Sequence, residues 1–318
     1  MNDNDFISMG NKNCSSLNIV LKNEGILGGP HSVKFDYNYN GSILHIEIEQ
    51  CLVRTINLSA ASPIMMEYLW SFYTTLERLL MLFDGRFYIM ESVTFVGDAC
   101  SKDEYASYAN ECLSRRLSYC KTDPDYCHID HVFLIYDAVL SPELVEKWIQ
   151  LQSELGIVHQ VALYNIADTG VTHDVKCAFF IECLEPMVEI IGIYDCFFPS
   201  LKPGDRTTTL KMCIDAVISK YGKDIFAEEY SANKDNFLKA LVNTRIRIMH
   251  IKRNQPVEKH LSGEESVLYL IKLCHLYRVV ILSLLGIDYD QYRSAVVKSV
   301  KQWNNWNGTL QNFINGLK

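Results

Sequence analysis

The sequence predicts an α+β protein, with an amino-terminal β-rich mixed domain over residues 1–140 followed by an all-α bundle over 141–318. Three observations carry this. Residues 32–38 (SVKFDYN) and 43–57 (ILHIEIEQCLVRTIN) alternate apolar and polar side chains, the period of a strand with one buried face. Beyond Ser141 the apolar spacing becomes helical. At the change, Ser141-Pro142-Glu143 reads as an N-cap with proline in the first helical position.

The first half divides as follows. NYNGS at 38–42 is a turn between the two alternating runs, so a hairpin or meander is expected. A helix fits 63–83, with Pro63 in its first turn and Asp84-Gly85 ending it. Residues 86–97 read as a strand, 101–119 as a polar helix and 120–131 as a loop; HVFLIYDAVL after it is strand-like. In the second half, helices are expected near 142–155, 175–198, 207–222, 224–252 and 263–286, with one or two short ones beyond 288.

A chain of 318 residues holds two ordinary domains or one large one, and with 48% hydrophobic and 21% charged residues it has the profile of a globular protein with a large core. Eleven cysteines, an odd number without a CxxC, and an opening MNDNDFISMGNKN without an apolar h-region point to free thiols in a reducing, cytoplasmic setting. The most apolar stretch, 265–287, is broken by Lys272, His275 and Arg278, so a buried helix is expected there and no membrane span. A net charge of −8 argues against a general nucleic-acid coat but leaves room for a small basic site.

Such a site exists at 245–253. Wound at 100° per residue, FLKALVNTRIRIMHIKRN places Lys239, Asn243, Arg247, His250 and Asn254 within a stripe about 80° wide. Arg245 lies off that stripe, roughly 140° from His250, on the apolar side. Burying a guanidinium without partners is costly. Arg245 therefore reaches a carboxylate, extends out to water, or lines a cleft where another helix or subunit meets this one. Arg245, Arg247, Lys252 and Arg253 put four cations in nine residues beside one histidine. A phosphodiester suits that set: arginine offers a rigid fork to phosphate, and histidine moves protons near neutral pH. The bland alternative is a solvated helix face or a capped core network.

Other candidates are weaker. Asp123, Asp125, Cys127, His128, Asp130 and His131 crowd one loop, in no recognisable zinc spacing, and no metal site is expected. GGP at 28–30 precedes no helix and lacks GK[ST], so it is a turn. Trp303 and Trp306 either stack bases or anchor the carboxy-terminal tail, the second being the simpler use.

VNTRIRIMH resembles the Arg-x4-His signature of HEPN domains. Upstream, LSPELVEKWIQLQSELGIVHQVALY (140–164) and CAFFIECLEPMVEI (177–190) resemble the opening helices of the ApeA type, and SVLYLIKLCHLYRVVILSLLGI its closing helix. The residue after the arginine is often Asn, Asp or His in that family and is Ile246 here. The resemblance implies a metal-independent endoribonuclease without cofactors, cleaving RNA such as tRNA in anti-phage defence, abortive infection or a toxin system. It implies catalytic roles for Arg245 and His250, support from Asn243, Arg247, Lys252, Arg253 and Glu185, and a homodimer in which two motif helices share a cleft. Glu185 is the expected partner of Arg245. A phage-derived trigger or a regulatory protein would act through the amino-terminal domain. A non-catalytic HEPN module that binds RNA or protein is the alternative, favoured by Ile246 and the acidic charge.

Overall fold

The computed structural model describes residues 11–21, 31–51, 53–87, 89–117, 132–134, 136–166, 171–194, 208–249 and 258–318. The expected loop at 120–131, with its six candidate ligands, and GGP at 28–30 lie outside the described residues. These fall into two compact units, one drawn from 1–129 and 134–149, the other from 130–133 and 150–318.

The first unit is a five-stranded antiparallel sheet with helices on it. Its strands are β1 (Asn13–Leu21), β2 (His31–Tyr39), β3 (Ser42–Gln50), β4 (Arg54–Met65) and β5 (Met90–Val96), in the spatial order β2-β3-β4-β1-β5. Asn40 and Gly41 both adopt positive φ, 51° and 80°, giving the two-residue turn whose twist suits the β2–β3 hairpin. Leu17, Ile19, Leu44, Ile46, Ile48, Ile56 and Leu58 are fully buried and alternate with more exposed residues along their strands. Helix α1 (Met66–Asp84) packs on β1 and β4. It ends at Gly85, whose φ of 73° lets its N–H reach the Met81 carbonyl at 2.7 Å. Helix α2 (Lys102–Leu117) lies on β5 and opens with a capping box, the Ser101 N–H and hydroxyl donating to Glu104 at 2.8 and 2.9 Å.

Four expectations need correction here. The run 43–57 is two strands, β3 ending at Gln50 and β4 beginning at Arg54, not one strand. No Gly, Pro or Asn stands between the two strands, so no breaker residue marked the boundary. Pro63 belongs to β4, and the helix starts at Met66. Strand β1 was unanticipated, because a register shift between Cys14 and Ser16 breaks its period of two. HVFLIYDAVL is not a strand among its described residues: 132–134 are irregular and Tyr136–Ala138 is a single 3-10 turn.

Arg54 is 2% exposed and fully engaged: Nη1 donates to Asp84 at 2.7 Å, and Nε and Nη2 to Gln50 at 3.1 and 2.8 Å. A fork of this kind, with every charge met, makes a buried arginine tolerable.

Helix α3 (Pro142–Ile166) begins as expected, the Leu144 N–H donating to Ser141 Oγ at 3.3 Å, but it runs past 155 across a break at Gly156, where φ is 45°. The second unit is a helical bundle. It holds the later part of α3, then α4 (His173–Tyr194), α5 (Leu210–Tyr221), α6 (Ala227–Met249), α7 (Glu264–Leu284), α8 (Arg293–Asn304) and α9 (Thr309–Asn315). Helix α4 packs against α5, α6 and α7. Helix α7 is long and apolar enough to cross a membrane, yet 72% of its apolar window is buried inside the structure. Its three interrupting polar residues are all buried with partners. Lys272 donates to Glu229 at 2.5 Å, His275 meets Ser299 Oγ at 2.9 Å, and Arg278 lies 3.5 Å over the Phe133 ring. Trp303 is 7% exposed and packs edge-on to Trp306, so it anchors the last helices.

Candidate functional site

The motif segment is set by local signals. Helix α6 is interrupted at Asn233, where φ is −166° and ψ 86°. The Asn233 side chain accepts from the Asn236 N–H at 3.1 Å and so caps a fresh helical run carrying the motif. The Asn233 and Asn236 amides both donate to the Leu317 carbonyl, at 3.3 and 2.7 Å, fixing this start against the chain's end. Phe237, Leu238, Ala240 and Leu241 are buried beneath it.

Toward the other end of α6, two neighbouring polar residues stitch the returning chain onto the helix. Asn243 Nδ2 donates to the Lys259 carbonyl at 3.0 Å. Thr244 Oγ1 donates to the Ala240 carbonyl and accepts from the Leu261 N–H, each at 2.8 Å. Asn243 thus holds backbone in place within the bundle. Arg247 is exposed and Ile246 half-buried.

Arg245 follows the first of the three courses its position leaves open: it reaches a carboxylate. Its side chain is 21% exposed. Nε and Nη2 donate to the two oxygens of Glu182 on α4, the second at 2.9 Å. The partner is Glu182 rather than the expected Glu185, which is exposed and acts on Arg245 through its charge. Glu185 sits three residues further along α4, close enough for its charge to be felt while the fork closes on Glu182. The Glu182 hydrogen bond, opposed by partial burial, pushes the Arg245 pKa above its ordinary value, so the guanidinium is permanently charged. Pro186 lies inside α4 and has no N–H to offer the carbonyl four residues earlier, at Glu182. The helical ladder is therefore altered at the turn where Arg245 docks.

The structure thus joins Arg245, Glu182 and, through charge, Glu185, while Asn243 and Arg247 take other directions on the same helix. His250, Lys252 and Arg253 lie outside the described residues. Sequence reasoning missed Glu182; its only signal was that it shares α4 with Glu185. No group of three or more histidines, cysteines or acids suited to a metal occurs among the described residues. Among the described residues of the bundle, burial pushes the Cys183 thiol up to about 11 and Cys274 up to about 12, which disfavours the thiolate at both.

Residues 199–291 match the family model described as Apea-like HEPN. That segment takes in α5, α6 and α7, and with them Arg245; Glu182 precedes it. No curated protein and no solved structure matches the chain.

Proposed function

We propose that this protein is a metal-independent endoribonuclease, with RNA such as tRNA as substrate, a reading supported by the match of residues 199–291 to the Apea-like HEPN family. The observation that carries the reading is the Arg245–Glu182 fork. A charged guanidinium, largely sheltered from water and aimed by a bidentate carboxylate, with a histidine five residues on in the sequence, suits a phosphodiester. In this mechanism an RNA 2′-hydroxyl attacks its own 3′-phosphate and expels the 5′-oxygen, leaving a cyclic phosphate. His250 moves the proton, and Arg245 neutralises the charge that builds on the phosphate. Glu182 orients Arg245. Arg247, Lys252 and Arg253 hold the backbone through charge, without reading sequence. Asn243 belongs to the support of this helix.

HEPN domains generally bind RNA and dimerise. In a homodimer, two motif helices bring an arginine and a histidine to one phosphate from opposite sides, which answers the roughly 140° between Arg245 and His250 on a single helix. The proposed setting is cytoplasmic anti-phage defence or a toxin system, triggered by a phage component or a regulatory protein.

A second reading has an observation of its own. The same fork serves equally as a tie between α4 and α6, and with Ile246 after the arginine it fits a non-catalytic RNA- or protein-binding module. One experiment separates them: purified protein incubated with total tRNA in EDTA, beside Arg245→Ala and His250→Ala. Discrete fragments lost in both variants support the ribonuclease. Intact RNA in every lane removes it.

A further inference from the structure

In the amino-terminal unit, strand β1 starts against the turn that joins β5 to α2. Gly97, the first residue after β5, has no room for a side chain: a Cβ there would stand 2.9 Å from the Cys14 Cα and 2.5 Å from the Tyr105 hydroxyl. Without that atom the turn can lie directly on β1. The Tyr105 hydroxyl, from the first turn of α2, fastens the two together. It donates to the Asn13 carbonyl at 2.7 Å, accepts from the Ala99 N–H at 3.2 Å and hydrogen-bonds to the Cys100 side chain. One hydroxyl thus holds the Cys100 thiol beside the peptide that leads into Cys14.

Both cysteines are free, and they differ in access. Cys14 is 0% exposed, whereas Cys100 is half-buried in the turn. The Lys12 ammonium, paired with Glu104, stands within electrostatic reach of Cys100. The two thiols also feel each other: burial pushes Cys14 up to about 12, and the nearness of Cys100 adds to the rise. Cys14 therefore stays a protonated thiol, shielded from solvent, behind a cysteine that solvent can reach.

We infer that Cys14 and Cys100 form a peroxide-responsive thiol pair, Cys100 meeting the oxidant and Cys14 closing a disulfide on it. The Cys100 thiolate attacks one oxygen of hydrogen peroxide; the O–O bond breaks, hydroxide leaves and a sulfenic acid remains. The Cys14 sulfur then attacks the Cys100 sulfur and expels its hydroxyl, which departs as water with the Cys14 proton. The two sulfurs lose two electrons and the peroxide gains them, so one peroxide yields one disulfide and two waters. The crosslink ties the start of β1 to the β5–α2 turn. In a reducing compartment such a bond is transient, which is the behaviour of a sensor. The inference does not depend on RNA cleavage, so it stands or falls separately from the ribonuclease reading.

The test is a thiol map of the full chain, reduced, treated with an equimolar amount of hydrogen peroxide, alkylated in denaturant and digested without reductant for mass spectrometry. The expected product is a linked Cys14–Cys100 peptide pair, lighter than its two parts by two hydrogens and split by dithiothreitol, with the exposed Cys51 recovered alkylated. In Cys14→Ala, dimedone should label Cys100 as the sulfenic acid; in Cys100→Ser, Cys14 should be recovered as a free thiol. The inference is overturned if Cys14 and Cys100 are both alkylated in the treated parent, or if Cys100 links to a different cysteine. It is equally overturned if Cys14 is oxidised as readily in Cys100→Ser as in the parent. The linked peptide is read from the parent chain, so the result does not rest on either variant folding.

Discussion

The Arg245 guanidinium is a tie to Glu182 and, in the proposed ribonuclease, a phosphate holder, and the two uses predict different losses. As an ion pair with side chains 21% and 35% exposed, the fork stabilises the bundle by about 1 kcal/mol or less after solvent screening. As the phosphate-holding group it affects rate far more, since one such donor is worth roughly a hundred- to a thousandfold. Arg245→Ala is thus expected to abolish tRNA cleavage with only a small drop in urea midpoint. Arg245→Lys, which keeps charge without the fork, should lose most of the rate as well. Single-turnover cleavage beside urea unfolding checks both; a large stability loss with unchanged cleavage would show that the arginine is only a tie. The Lys272–Glu229 pair is the opposite kind of charge. Both side chains are fully buried, and burial, partly offset by Glu229, lowers the lysine's pKa. Lys272→Met should cost about 3–5 kcal/mol by stranding the carboxylate, and Glu229→Leu added to it should recover much of the loss.

Helix ends and turns decide where the elements fall. Gly85 ends α1 at a φ of 73°, so Gly85→Ala should destabilise by about 1–2 kcal/mol, seen as a lower thermal midpoint with the strand signal retained. In the bundle, Asp224 lies between α5 and α6 and ties that turn to Arg293 on α8. The Arg293 hydrogen bond, opposed by partial burial and helped by the Tyr289 hydroxyl, holds the Asp224 pKa below the usual carboxylate range. A depressed folded-state pKa contributes stability that is fully present above the unfolded value of about 3.9 and lost as pH falls through the folded one. Asp224→Asn should therefore lower the urea midpoint near pH 6 and leave a smaller difference below about pH 3. An equal loss at both values would mean the carboxylate's charge is irrelevant to the tie.

At the scale of the whole molecule, the ribonuclease reading requires two chains. If Arg245 and His250 act on one phosphate from different protomers, inactive Arg245→Ala and His250→Ala proteins mixed and allowed to exchange should regain part of the cleavage. One of the two sites in a mixed dimer then holds both groups. No regain despite exchange, followed by size analysis of labelled protein, would place both groups on one chain or remove the reading. Cleavage should also persist in EDTA, because the proposed chemistry uses proton transfer and a fixed cation rather than a metal-bound water.

The sequence by itself determined what is local. Alternation marked β2 and β3, Asn40-Gly41 their hairpin, Ser141-Pro142 the start of α3, and the spacing of Arg245 and His250 a recognisable motif, because period, capping and turn preference act over a few neighbouring residues. Tertiary structure decided the rest. The bulge in β1 and the boundary between β3 and β4 emerge only once neighbouring strands pair. Lys272, His275 and Arg278, which read as interruptions of an apolar helix, became core residues because Glu229, Ser299 and Phe133 arrive from distant positions. Glu182 took Arg245 in place of Glu185 for the same reason: a charge on a helix selects among carboxylates by where packing sets the next helix, and no local rule encodes that distance.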